Sequence, residues 1–168
     1  MAATGYINNN QGKFFNYEGH VNDAIQISPD VVVVGGPIND EGYGATQITA
    51  AAVSLFRKLR SALPAVPILA MGTFPGSRGP DAASVNSELA IQAAVMQLND
   101  PRIYFIPLIS GQDGAVITGT GSVTAPKNNG NGDYYISSDG THPTQLGTDY
   151  EAGQFAARIK SIFVNRVY

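Results

Sequence analysis

Two side chains near the end of this 168-residue chain stand at a spacing that can carry acid–base chemistry. Asp139 precedes His142 by three residues in the segment Asp139-Gly140-Thr141-His142-Pro143-Thr144. On a turn, an aspartate so placed can accept the imidazole Nδ1 proton, fix the tautomer and leave Nε2 as a base. Pro143 disfavours helical backbone at His142 and suits a first helical position, so the histidine is expected on a loop at the mouth of a helix. Asp, Gly, Thr and Pro also make an ordinary helix start, and taken alone the pair fits either reading. A second polar pair, Asn39 and Asp40, follows four consecutive valines and two glycines. Carboxyl ends of strands are where open α/β sheets bind ligands, although the same residues serve in plain turns. His20, the other histidine, has no aspartate three residues before it and reads as a helix-surface residue. Tyr134 and Tyr135, just before Asp139, can line a groove that packs on sugar or acyl groups, or can pack in a core.

The elements that must position these residues follow from periodicity. Apolar residues at Val21, Ala24 and Ile25 indicate a helix over about 17–27, ending before Pro29. Val31, Val32, Val33 and Val34 read as a strand buried on both faces, as in parallel sheets covered by helices. Ile48, Ala51, Ala52, Leu55 and Leu59 form a helical stripe over 45–60, with Thr46 as its expected cap and Pro64 beyond its end. Residues 66–71 give a second buried strand. A second helix runs over 82–98, with Leu89, Val95, Met96 and Leu98 as its apolar positions. Residues 102–106 supply a third strand. Strand and helix alternate, which points to right-handed crossovers and a parallel sheet. Residues 110–138, crowded with Gly and Asn and interrupted by Pro126, are expected to form an insertion loop without regular elements; Gly119-Thr120-Gly121 within it lacks the strand-to-helix setting of a phosphate cradle. A last helix is expected from Pro143 to about Asn165, with Ala152, Phe155, Ala156, Ile159 and Ile162 facing inward.

Composition narrows the partners. A chain with 43% hydrophobic and 14% charged residues can build one globular domain with a real core. The net charge of −3, without a run of Lys or Arg, argues against nucleic acid or an anionic membrane as the main partner. With no cysteine and two distant histidines, neither disulfides nor a zinc cluster is expected, and no cofactor is implied. The first residues show neither a basic start nor an apolar stretch of the kind a secretory signal carries, and no apolar run reaches membrane length.

Together these stretches resemble the SGNH (GDSL-type) hydrolase family. Gly35-Gly36-Pro37-Ile38-Asn39-Asp40 is similar to its third block, Asp139-Gly140-Thr141-His142 to its last, and Thr4-Gly5-Tyr6 to its second. The likeness extends over essentially the whole chain. The first block, a Gly-Asp-Ser segment carrying the nucleophilic serine, does not occur in these residues. The resemblance implies a three-layer α/β/α, flavodoxin-like fold with a parallel sheet, here N-terminally incomplete with three strands. It also implies a serine ester hydrolase of the esterase/lipase class, acting on a small-molecule or carbohydrate ester, O-acetylated carbohydrate included. In that scheme His142 is the base, Asp139 its partner, and Asn39 and Gly5 the oxyanion donors, with Tyr134 and Tyr135, from their position alone, the candidates for lining the substrate. The chain by itself is then expected to be inactive for want of the nucleophile. Two alternatives stay open: a non-catalytic module binding carbohydrate or an acylated ligand, and a chain completed by a partner polypeptide. In the family's strand order the first strand lies beside residues 31–34. Those valines are therefore expected to form an open edge through which the chain self-associates or meets a partner.

Overall fold

In a computed structural model of the chain, residues 17–109, 116–119 and 121–164 are described, the side chains of residues 17–20 excepted. By their internal contacts they group into two units. Residues up to Thr73 together with Asn86–Pro107 make the first; Phe74–Val85 and the residues from Leu108 onward make the second.

The first unit is built on a parallel sheet. Strands β1 (Val32–Val34), β2 (Ile68–Met71) and β3 (Ile103–Ile106) lie in the order β1-β2-β3, with Val32 opposite Ile68 and Ile68 opposite Ile103. Helices α1 (Tyr17–Ile27), α2 (Ala45–Ala62) and α3 (Ala82–Leu98) alternate with the strands, as the sequence pattern predicts. One face of the sheet, with Val32, Ile68, Ala70 and Ile103, joins Val21 of α1, Ile48, Phe56 and Leu59 of α2, and Ala90, Ile91 and Ala94 of α3 in a single apolar core. Burying a side chain such as Phe56 or Ile48 contributes about 1.5–3 kcal/mol each. The middle strand is the buried one, with Ile68, Leu69 and Ala70 almost fully enclosed.

Several expectations change here. β1 begins at Val32 and is not buried on both faces: Val32 is enclosed, whereas Val31 and Val33 are 40% and 46% exposed. Successive strand side chains alternate between faces, and a run of four valines hides that alternation in the sequence. In α2 the cap is Gly44, not Thr46. Its N–H donates to Oε1 of Gln47 at 3.2 Å, while Gln47 N–H donates back to Gly44 O at 3.0 Å. In α3, Leu89 and Met96 face solvent. The buried stripe instead runs through Ser84, Ser87, Glu88, Ile91 and Ala94, a helical spacing that small and polar residues conceal. Glu88 tolerates full burial because Oε2 accepts the N–H of Thr73 at 3.1 Å.

Arg60 closes the end of α2. Its Nε donates to Oδ2 of Asp100 at 2.6 Å, and Nη1 donates to the carbonyls of Leu63 and Val66 at 2.8 and 2.7 Å. One side chain thereby satisfies the Leu63 carbonyl at the helix end and the Val66 carbonyl in the loop beyond it, and ties both to the turn that enters β3.

In the second unit, residues expected to lack regular elements contain one helical turn, α4 (Gly132–Tyr135). The Asp133 carboxylate accepts the N–H groups of Lys127 and Asn128, which folds the Asn-rich loop onto that turn. Helix α5 runs over Gln145–Val164. Phe155, Ile159 and Ile162 are half-buried as the pattern predicts, but Ala152 and Ala156 are exposed. Its start is capped by Thr144, whose Oγ1 accepts the N–H of Gly147 at 3.1 Å. Pro143 therefore precedes the cap, paired with Ile136 in an antiparallel bridge, and is not the first helical residue.

Candidate active site

The second unit holds Asp139 and His142 on a short clasped turn. Its two arms are joined by Ser137 N–H to His142 O and by Thr144 N–H to Tyr135 O, both at 2.8 Å. At the tip, Gly140 has φ +76, a left-handed conformation that glycine adopts without strain. Ser77, in the 3-10 turn Gly76–Arg78, donates its N–H to Gly140 O at 2.9 Å and so holds the tip from a distant part of the chain. Nothing in the sequence marks Ser77 for that task.

Within the clasp, Oδ2 of Asp139 lies 2.7 Å from Nδ1 of His142. A carboxylate only accepts, so Nδ1 carries the hydrogen and Nε2 keeps its lone pair. The other oxygen, Oδ1, accepts the backbone N–H groups of His142 and Thr141, each at 2.9 Å, and the hydroxyl of Ser137 at 2.8 Å. These donors hold the carboxyl well below the ordinary aspartate range, the His142 N–H contributing most and the Thr141 N–H next, against a small opposing effect of burial. Asp139 is thus ionised at any ordinary pH. Both side chains are half or more exposed, so the base is open to a reacting group.

The two adjacent tyrosines part company. Tyr135 is half-buried and stacks on Tyr150 of α5, with ring centroids 4.3 Å apart and planes 9° from parallel. Tyr134 is 65% exposed and meets Tyr135 edge-on at 6.5 Å. Tyr135 thus packs against α5, while Tyr134 is the more exposed ring. Asn39 belongs to the first unit. It lies half-buried in the 3-10 turn Pro37–Asp40 that follows the carboxyl end of β1, beside a fully buried Asp40. Gly5 falls outside the described residues. Among the described residues, no group of three His, Cys, Asp or Glu is placed to hold a metal ion.

Neither a family model nor a curated protein matches the sequence. Solved structures do match. One, from Bacteroides ovatus ATCC 8483 and described as a GDSL-like lipase, superposes with a TM-score of 0.57 at 21% identity, over 83% of this chain and 39% of its own. Another, the salicylyl-acyltransferase of a tetracycline biosynthetic pathway, superposes with a TM-score of 0.57 at 14% identity, over 88% of this chain and 43% of its own. The fold is SGNH-like. The chain spans less than half the length of either structure. At such identities it is the fold that is shared. Among the described residues, the Asp139–His142 hydrogen bond is a feature with chemical content.

Proposed function

We propose that this chain belongs to a serine ester hydrolase of the GDSL type, in which His142 is the general base and Asp139 its orienting partner. The observation that carries the reading is the 2.7 Å hydrogen bond from Nδ1 of His142 to a carboxylate held ionised by three further donors. In the proposed reaction a serine hydroxyl attacks the ester carbonyl while its proton passes to Nε2 of His142. The alcohol then leaves with that proton, and water, activated by the same nitrogen, releases the acid. Asn39 and the backbone N–H of Gly5 are proposed as oxyanion donors; losing one such donor typically costs about 2.7–4 kcal/mol of transition-state stabilisation. The serine is assigned to a Gly-Asp-Ser segment, which these 168 residues do not contain. Tyr134, as the exposed ring, supports a substrate with a flat apolar face, such as an O-acetylated sugar. The acyltransferase among the structural neighbours supports an acyl-enzyme chemistry in which an alcohol can take the place of water.

The test uses the reading frame that contains these residues together with any in-frame sequence ahead of Met1. Its product should hydrolyse a small activated acetyl ester, and His142→Ala should lower kcat/KM by about a thousandfold or more. The 168-residue chain alone should be no faster than its own His142→Ala variant. Hydrolysis that is indifferent to His142 in the longer protein refutes the reading.

A further inference from the structure

The carboxylate that faces His142 is also held by a side chain that the motif does not include. Ser137 Oγ lies 2.8 Å from Oδ1 of Asp139, and because a carboxylate only accepts, the hydroxyl is the donor. Ser137 is itself fixed at both ends of its backbone: its N–H donates to His142 O at 2.8 Å, and its carbonyl accepts the Gly140 N–H at 3.1 Å. We propose that Ser137 is a positioning residue whose hydroxyl locks the Asp139 carboxylate so that Oδ2 stays on Nδ1 of His142 and Nε2 is presented as the base.

The physical need for such a lock lies in the torsion and the exposure. The terminal torsion of an aspartate is broad, and the Asp139 carboxylate is half-exposed, so water competes for both oxygens. The N–H groups of Thr141 and His142 both follow Asp139 along the turn; Ser137 reaches Oδ1 from the residues before it. Donors from both chain directions narrow the range over which the carboxylate can swing. The geometry also accounts for what Ser137 does not do. A nucleophilic serine must deliver its proton to Nε2, whereas the Ser137 proton is committed to the carboxylate on the Nδ1 side. This inference rests on the reading of Asp139 and His142 as the base of an acyl-transfer site.

The test is the tautomer of the His142 ring, read from its two ¹⁵N shifts at a pH where the imidazole is neutral, with His142→Gln used to assign the resonances. The protein should hold the Nδ1–H form. Ser137→Ala, and Ser137→Cys as a second variant of similar volume and weaker donor strength, should lower the ratio of Nδ1–H to Nε2–H by roughly two- to tenfold, as expected for one hydrogen bond. Ser137→Thr, which keeps the hydroxyl, should restore it. An unchanged ratio in both the Ala and Cys variants, with an amide spectrum otherwise native, overturns the proposal. That failure is distinct from failure of the base reading, which would show as esterase activity indifferent to His142 while the tautomer ratio still followed Ser137.

Discussion

Gly140 comes so close to Ser77 that a β-carbon placed on it would lie 2.9 Å from the Ser77 hydroxyl. Its φ of +76 adds a second reason for glycine, since a side chain is strained there whatever the space. Gly140→Ala is expected to destabilise the protein by about 1–3 kcal/mol, measured by urea denaturation. Adding Ser77→Ala should recover only the steric part. A loss below about 0.5 kcal/mol would mean that the turn is not held as described.

How much of this site was legible in the sequence depends on how local each part is. Asp139 and His142 could be read together because three residues and a following proline define their turn within one segment. The helices α1 and α2 were legible because their apolar stripes repeat at 3.6 residues. Ser77 was not, since its contact with Gly140 joins residues distant in sequence and uses a backbone N–H that any residue type supplies. Tyr134 and Tyr135 could not be told apart by residue type; the stacking of Tyr135 on Tyr150 separates them. Glu88 and Ser87 were unreadable as buried positions because polarity masks the helical stripe to which they belong.

Glu151, on α5, has a carboxyl that burial pushes up to about 7. A raised acid favours the folded state while it is protonated. The stability it confers is therefore fully present below the unfolded value of 4.5 and is lost as pH rises through about 7. Denaturation midpoints should fall between about pH 5 and pH 8 in the native protein and less steeply in Glu151→Gln. An equal slope in the two proteins would remove Glu151 as the cause.

Arg60 serves Asp100 and the carbonyls of Leu63, Val66 and Arg102 at once. Burial alone would push the Asp100 carboxyl up, but the Arg102 N–H and the Arg60 guanidinium together hold it below the usual range. Arg60→Ala strands these acceptors in a partly buried place and should cost about 2–4 kcal/mol in thermal or chemical unfolding. Arg60→Lys should recover little, because an ammonium cannot span four acceptors as a planar fork does. Full recovery by lysine would show that charge alone matters.

Val31, just before β1, and Val33, within it, leave two branched apolar side chains facing solvent. We propose that a second copy of the chain covers them. Sedimentation at micromolar concentration should show a dimer, and Val33→Lys should shift it to monomer, since an inserted charge blocks an apolar strand contact. A native chain that sediments as a monomer at every concentration tested contradicts this.

The central claim is that Asp139 and His142 activate a serine for acyl transfer, and the most direct measurement is the rate of covalent labelling by a fluorophosphonate, followed by mass spectrometry of the labelled peptide. Where in-frame sequence ahead of Met1 supplies a Gly-Asp-Ser segment, the label should fall on its serine. His142→Ala should slow labelling by about a thousandfold, with Asp139→Asn slowing it as well. Labelling at the same rate without His142, or His142-dependent labelling of a serine inside these 168 residues, would contradict the account.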